Sequence, residues 1–88
     1  MAYEVIFSPA ARRDLQSVPP RILPAIIEFV YGDLSRNPHR LGKALERDLA
    51  GFHSAGRGPY RILYAIVEEH NSISILRVDH RADVYRPR

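Results

Sequence analysis

The chain has 88 residues, enough for one domain spanning 1–88 with a modest core, and too few for two. Hydrophobic residues make up 45 % and charged residues 26 %, which argues against a disordered chain. There is no cysteine, so neither disulfides nor thiolate–metal sites help, and packing alone must hold the fold. A formal net charge of +3 permits an anionic partner such as nucleic acid without establishing one.

Tyr3 to Phe7 packs Tyr, Val, Ile and Phe into five positions, which predicts a short strand. Ser8-Pro9 then reads as a helix start, because serine caps free amides and proline suits the first helical position. Ala11, Leu15 and Val18 share one face of that helix, and Pro19-Pro20 ends it. A second helix is predicted from about Pro20 to Leu34. Its stripe of Ile22, Ile26, Phe29, Val30 and Leu34, widened by Leu23 and Ile27, is read as core. Asn37-Pro38 closes it.

His39 to Ala50 is polar and predicted as loop, with a short turn around Lys43 to Leu49. Gly51 to Ala55 is a second strand by composition, and Gly56-Arg57-Gly58-Pro59 a turn. Tyr60 to Glu68 gives the strongest strand signal. Tyr60, Ile62, Tyr64 and Ile66 point one way, and Leu63, Ala65 and Val67 the other, so this strand should be central and covered on both faces. A turn at His70-Asn71-Ser72 leads to a fourth strand, Ile73 to Val78. The order β-α-α-β-β-β gives an α+β fold, with two N-terminal helices on a small, mainly antiparallel four-stranded sheet.

No apolar run approaches the roughly 20 residues that span a bilayer. Met1 to Phe7 lacks the basic and long apolar segments of a secretion signal. No membrane association is expected. Basic residues are nearly all arginine, Lys43 being the only lysine, and arginine grips phosphate through a planar fork of donors. Arg77, Arg81, Arg86 and Arg88 crowd the C-terminal stretch, with Arg57 and Arg61 upstream. A solvated basic surface is the alternative reading of each. His39, His53, His70 and His80 show no i, i+4 pairing and have no cysteine partners, so no metal and no other cofactor is expected.

Three stretches carry a resemblance. They are Asn37-Pro38-His39-Arg40-Leu41-Gly42-Lys43-Ala44-Leu45 with Leu49-Ala50-Gly51, then Arg57-Gly58-Pro59-Tyr60-Arg61-Ile62-Leu63-Tyr64-Ala65-Ile66, and last His80-Arg81-Ala82-Asp83-Val84-Tyr85. In this order and at this length they resemble the RelE/ParE toxins, and the likeness covers nearly the whole chain. The resemblance implies a RelE-like fold and a cytoplasmic bacterial toxin of a type II toxin-antitoxin system, held in check by a cognate antitoxin protein. Toxins of the RelE type enter the ribosomal A site and cleave mRNA there. Those of the ParE type poison DNA gyrase, and a toxin fold that kept only antitoxin binding is a third possibility. Operator DNA would be bound only through the antitoxin complex.

Cleavage of this kind requires no metal. The ribose 2′-hydroxyl attacks the adjacent phosphorus and the 5′-oxygen leaves. By resemblance Arg61 binds the scissile phosphate, with a solvent-facing strand-end arginine as the alternative. Arg81 would assist as a clamp or acid, and the reluctance of arginine to give up its proton at working pH favours the clamp. An ion pair with Asp79 or Asp83 is its structural alternative. Tyr85 would stack on a base or orient the nucleophile, or else serve as a core or edge aromatic. Arg57, Lys43 and His80 are the further RNA-binding candidates. RelE-type enzymes carry two lysines on the strand before the turn, one acting as base. The matching places here hold Phe52 and Ser54, which leaves His53 and His80 as the available proton acceptors.

Overall fold

A computed structural model describes residues 2–80. The elements run β1 (Glu4–Phe7), α1 (Pro9–Ser17), α2 (Leu23–Phe29), α3 (Pro38–Leu41), β2 (Lys43–Ala44), β3 (His53–Arg57), β4 (Tyr60–Val67) and β5 (Ser72–His80). The sheet order is β1-β5-β4-β3-β2. Only β1 lies parallel, on β5; every other pair is antiparallel. The sheet therefore has five strands rather than the four expected. The addition is β2, two exposed residues held by the pairs Lys43↔Ser54 and Ala44↔His53, and the one-turn α3 just before it is a helix beyond the two expected, in a stretch predicted mostly as loop.

Serine and proline start α1 as expected. The Ser8 hydroxyl accepts from the Ala11 amide at 3.0 Å, and Pro9 takes the first helical position. The same hydroxyl donates to the Leu76 carbonyl at 3.0 Å, while the Ser8 amide donates to the Ile75 carbonyl at 2.9 Å. One residue thus caps α1 and ties it to β5.

The second helix differs from its prediction at both ends. It begins at Leu23, because Arg21 and Ile22 form only a turn after the two prolines. It then widens into a π-helical turn, Val30–Leu34. That extra residue per turn still buries both Val30 and Leu34.

The core lies between these helices and one sheet face. Ala11, Val18, Ile26, Val30 and Leu34 meet Ala55, Ile62, Tyr64, Ile73, Ile75 and Val78. Val78 is even-numbered whereas Ile73 and Ile75 are odd, which a regular strand would point to opposite faces. The register shows how they share one. Leu63 pairs with Arg77 and Tyr64 with Ile75, so Leu76 is an extra residue in β5 that flips the alternation.

The hairpin between β3 and β4 is tighter than its sequence suggested. β3 runs on through Gly56 and Arg57, and Arg57 pairs with Tyr60. That leaves the two-residue loop Gly58-Pro59. Gly58 has φ +59°, and Pro59 cannot adopt positive φ. Positive φ at the first loop position alone is the type II′ arrangement, which suits the twist of antiparallel strands. β4 is central, as expected, but coverage of its two faces differs. Ile62 and Tyr64 are fully buried on the helix side, while Leu63, Ala65 and Val67 are half-buried on the other.

Candidate functional site

Cross-strand pairs sort the candidate residues onto two faces. Lys43 pairs with Ser54, Ser54 with Leu63, and Leu63 with Arg77. In the neighbouring row Gly56 pairs with Arg61, and Arg61 with Asp79. Directly opposed residues project to one side of a sheet, so Lys43, Ser54, Arg61, Arg77 and Asp79 share the face that the helices leave open. Arg57, Tyr60 and His80 form the next row along, one residue on, and project to the helix side.

Arg61 is the most exactingly seated of these. Its guanidinium lies over Gly56, where a Cβ would stand 2.2 Å from Nη1 and 2.9 Å from Cζ. A side chain at position 56 would displace the guanidinium from this place. Nη1 donates a long bond, 3.4 Å, to the Tyr60 carbonyl. Among the described residues Arg61 joins no ion pair. A half-buried guanidinium with unspent donors is suited to an anion that arrives from outside.

Lys43 reaches the same concavity, which Leu41, Ala44, Leu45, Ser54 and Gly56 complete around Arg61. The segment carrying Lys43 is fixed from beneath. The phenol of fully buried Tyr64 donates to the Pro38 carbonyl at 2.5 Å. Gly42 passes so close above it that a Cβ there would meet the hydroxyl at 2.0 Å. Burial pushes the Tyr64 pKa up to about 12, so the phenol keeps its proton and remains a donor.

Arg77 is held differently. Its Nε and Nη2 make a bidentate pair with Asp14 of α1 at 2.8 and 3.0 Å. The same carboxylate accepts from the Val78 amide at 2.9 Å. β1 stops at Ser74 and Ile75 of β5, so Asp14 closes the strand edge beyond it. The Asp14 hydrogen bond raises the Arg77 pKa further. Arg77 is a structural cation, and Asp79 lies 3.8 Å from its Nη2.

The structure brings Lys43 and Arg61 together and separates Arg57 and His80 from them. Arg57 lies beside Glu28, Asp33 and Arg36, near the π-helical turn. His80 meets Tyr60 edge-on, with ring centroids 5.7 Å apart. Arg81 and Tyr85 lie outside the described residues. His53 also faces the helix side. Its ring stacks on Tyr64 at 5.4 Å and meets His39 edge-on at 6.2 Å. Burial, and then the proximity of His39, lower its pKa. It therefore stands across the sheet from Arg61 and favours its neutral form.

Gly56, Leu41 and Leu45 had escaped sequence reasoning as site residues. A two-residue hairpin loop assigned from Gly58-Pro59 would have found the first, since it fixes Gly56 opposite Arg61. Among the described residues no three of His, Cys, Asp and Glu group as metal ligands, and no helix there is long and apolar enough to cross a membrane.

Residues 5–85 match the family model described as ParE toxin of the type II toxin-antitoxin system parDE. Toxin RelG of Mycobacterium tuberculosis is 62 % identical over 98 % of this chain and 99 % of its own length. Toxin RelE of the same organism is 49 % identical over 96 % of this chain and 87 % of its own. Among solved structures, the M. tuberculosis RelBE2 toxin-antitoxin complex contains a chain with 60 % identity and a TM-score of 0.89. The match covers 94 % of this chain and 95 % of that one. The isolated Escherichia coli RelE toxin, at 16 % identity and a TM-score of 0.75 over 96 % of this chain and 92 % of its own, shares the fold.

Proposed function

This chain belongs to the RelE/ParE toxins of type II toxin-antitoxin systems, and from that premise we propose that it is a ribosome-dependent, metal-independent mRNA endoribonuclease. The observation that supports this most is Arg61, seated on Gly56 and without an ion-pair partner among the described residues, beside Lys43 on the open sheet face. In the reaction the 2′-oxygen gives up its proton and attacks phosphorus. The 5′-oxygen then leaves and takes a proton, and a 2′,3′-cyclic phosphate remains on the upstream fragment. Charge builds on the phosphoryl oxygens as this happens. Arg61 meets that charge from a preorganised position, the kind of contribution worth about 10²–10³ in rate. Lys43 holds backbone phosphate. Arg81 acts as a second clamp and Tyr85 positions a base or the nucleophile, as the resemblance implies.

The partner follows from the same membership. A toxin must be neutralised while it is made, and the 60 %-identical structural relative is a toxin-antitoxin complex. The chain is proposed to bind a cognate antitoxin through a segment that folds on contact. Operator DNA is met only through that complex, and the setting is the cytoplasm.

Gyrase inhibition of the ParE type is the second reading. It draws on Phe52 and Ser54 at the positions of the expected lysines and on the ParE description of the matching family. A cell-free translation reaction with purified protein separates the two, read by primer extension on the message. New message ends that need ribosomes support the nuclease. Intact message together with blocked supercoiling by gyrase supports the second reading.

A further inference from the structure

The concavity around Arg61 has an apolar side that phosphate binding does not use. Leu41 is 41 % exposed, a large aliphatic side chain in solvent beside two cations. Leu45 lines the same hollow, half-buried. The floor is Ser54 and Gly56, both small, which leaves room above them.

Lys43 pairs with Ser54, one strand over and two residues along from Gly56, so about 5 Å and 7 Å separate the backbone positions in the two directions. A phosphate between Lys43 and Arg61 sits within reach of both. A base attached through its ribose then falls a sugar's width away, against the leucines. We infer that this hollow is a seat for one nucleotide, with its phosphate on Arg61 and Lys43 and its base packed on an apolar lip of Leu41 and Leu45. The charge pairing selects the occupant: two cations beside an aliphatic surface match an anion joined to a flat apolar ring. An aliphatic lip offers no hydrogen bonds to base edges, so this seat is tolerant of base identity. The inference rests on Arg61 as a phosphate ligand but requires no cleavage.

The full chain, freed from its antitoxin, is titrated with adenosine 5′-monophosphate, cytidine 5′-monophosphate, ribose 5-phosphate and inorganic phosphate, followed by NMR. Both nucleotides are expected to shift the Leu41 and Leu45 methyl signals as well as Arg61. Inorganic phosphate should shift Arg61 and leave the methyls in place. Burying one face of a base should tighten nucleotide binding about fivefold over ribose 5-phosphate. The double variant Leu41→Ala/Leu45→Ala should erase that advantage and keep phosphate affinity. Equal binding of nucleotide and ribose 5-phosphate overturns the inference. So does a leucine variant that weakens antitoxin binding and leaves nucleotide affinity unchanged, since the lip is then a protein interface. Binding as expected without message cleavage would refute the nuclease and leave the seat intact.

Discussion

The two faces of the sheet are built from the same strands and serve opposite ends. On the helix side Ala55, Ile62, Tyr64, Ile75 and Val78 are buried among α1, α2 and the π-helical turn. On the open side the alternate positions of those strands are Lys43, Ser54, Gly56, Arg61 and Leu63, with Arg77 drawn off to Asp14. The lesson is one of parity. A side chain's role here follows from whether its register position is odd or even and from where the β5 bulge reverses the count, more than from its residue type. Arg57 and Arg61 are the same amino acid four residues apart, yet they project to opposite faces, because the two-residue loop between them places Arg57 opposite Tyr60.

The largest effect is expected on the helix side. Ile75→Ala should cost about 2–5 kcal/mol through lost burial and a cavity, read by denaturant unfolding. Lys43→Ala on the open face should stay within about 0.5 kcal/mol. Comparable losses would mean that the open face is also core.

The boundary between the faces is the next place to press. Asp14→Ala removes the partner of Arg77 and of the Val78 amide. A loss of about 2 kcal/mol is expected, because a partly buried cation and an amide are left without it. Unfolding that matches the parent would make the pair a surface ornament.

The smallest effect is a pH dependence. His53 has a lowered pKa in the folded chain, so the unfolded chain binds its proton more readily. Stability should therefore fall as pH drops through the unfolded value near 6.5, and level off below the folded one. Glu68, lowered chiefly by the Tyr3 hydrogen bond, works in the same direction but only near and below about pH 4.5. Melting temperature followed from pH 7 to 5 should decline in the parent and flatten in His53→Gln. An unchanged slope in the variant would show that His53 is not the source.

Much of this was legible in the residues. Ser8-Pro9 marks a helix start through local chemistry alone, and Tyr60 to Glu68 carries a strand signal on both faces. The order of the first two helices and of the four expected strands followed, and with it Arg61 on the central strand, whereas α3 and β2 fell in a stretch that reads as loop. What stayed hidden depends on pairing. Lys43 and Ala44 have no periodicity of their own and become a strand only by lying against β3. Leu76 looks like any apolar residue until the register shows it to be surplus. Gly56 and Arg57 read as turn within a glycine-rich run, and only the pairs Arg57↔Tyr60 and Gly56↔Arg61 reveal the facing of Arg57 and the seat of Arg61. His80 was grouped with RNA-binding candidates by its motif, whereas its strand position puts it beside Tyr60.

The central claim is that the open face does the chemistry, and the pair Arg61→Ala and Arg57→Ala tests it within one hairpin. Both variants would be compared with the parent for message cleavage on programmed ribosomes, with folding checked by thermal unfolding. The account predicts a loss of about 100-fold or more for Arg61→Ala and at most a few-fold for Arg57→Ala, with both proteins folded. Equal losses, or a larger one at Arg57, would contradict it.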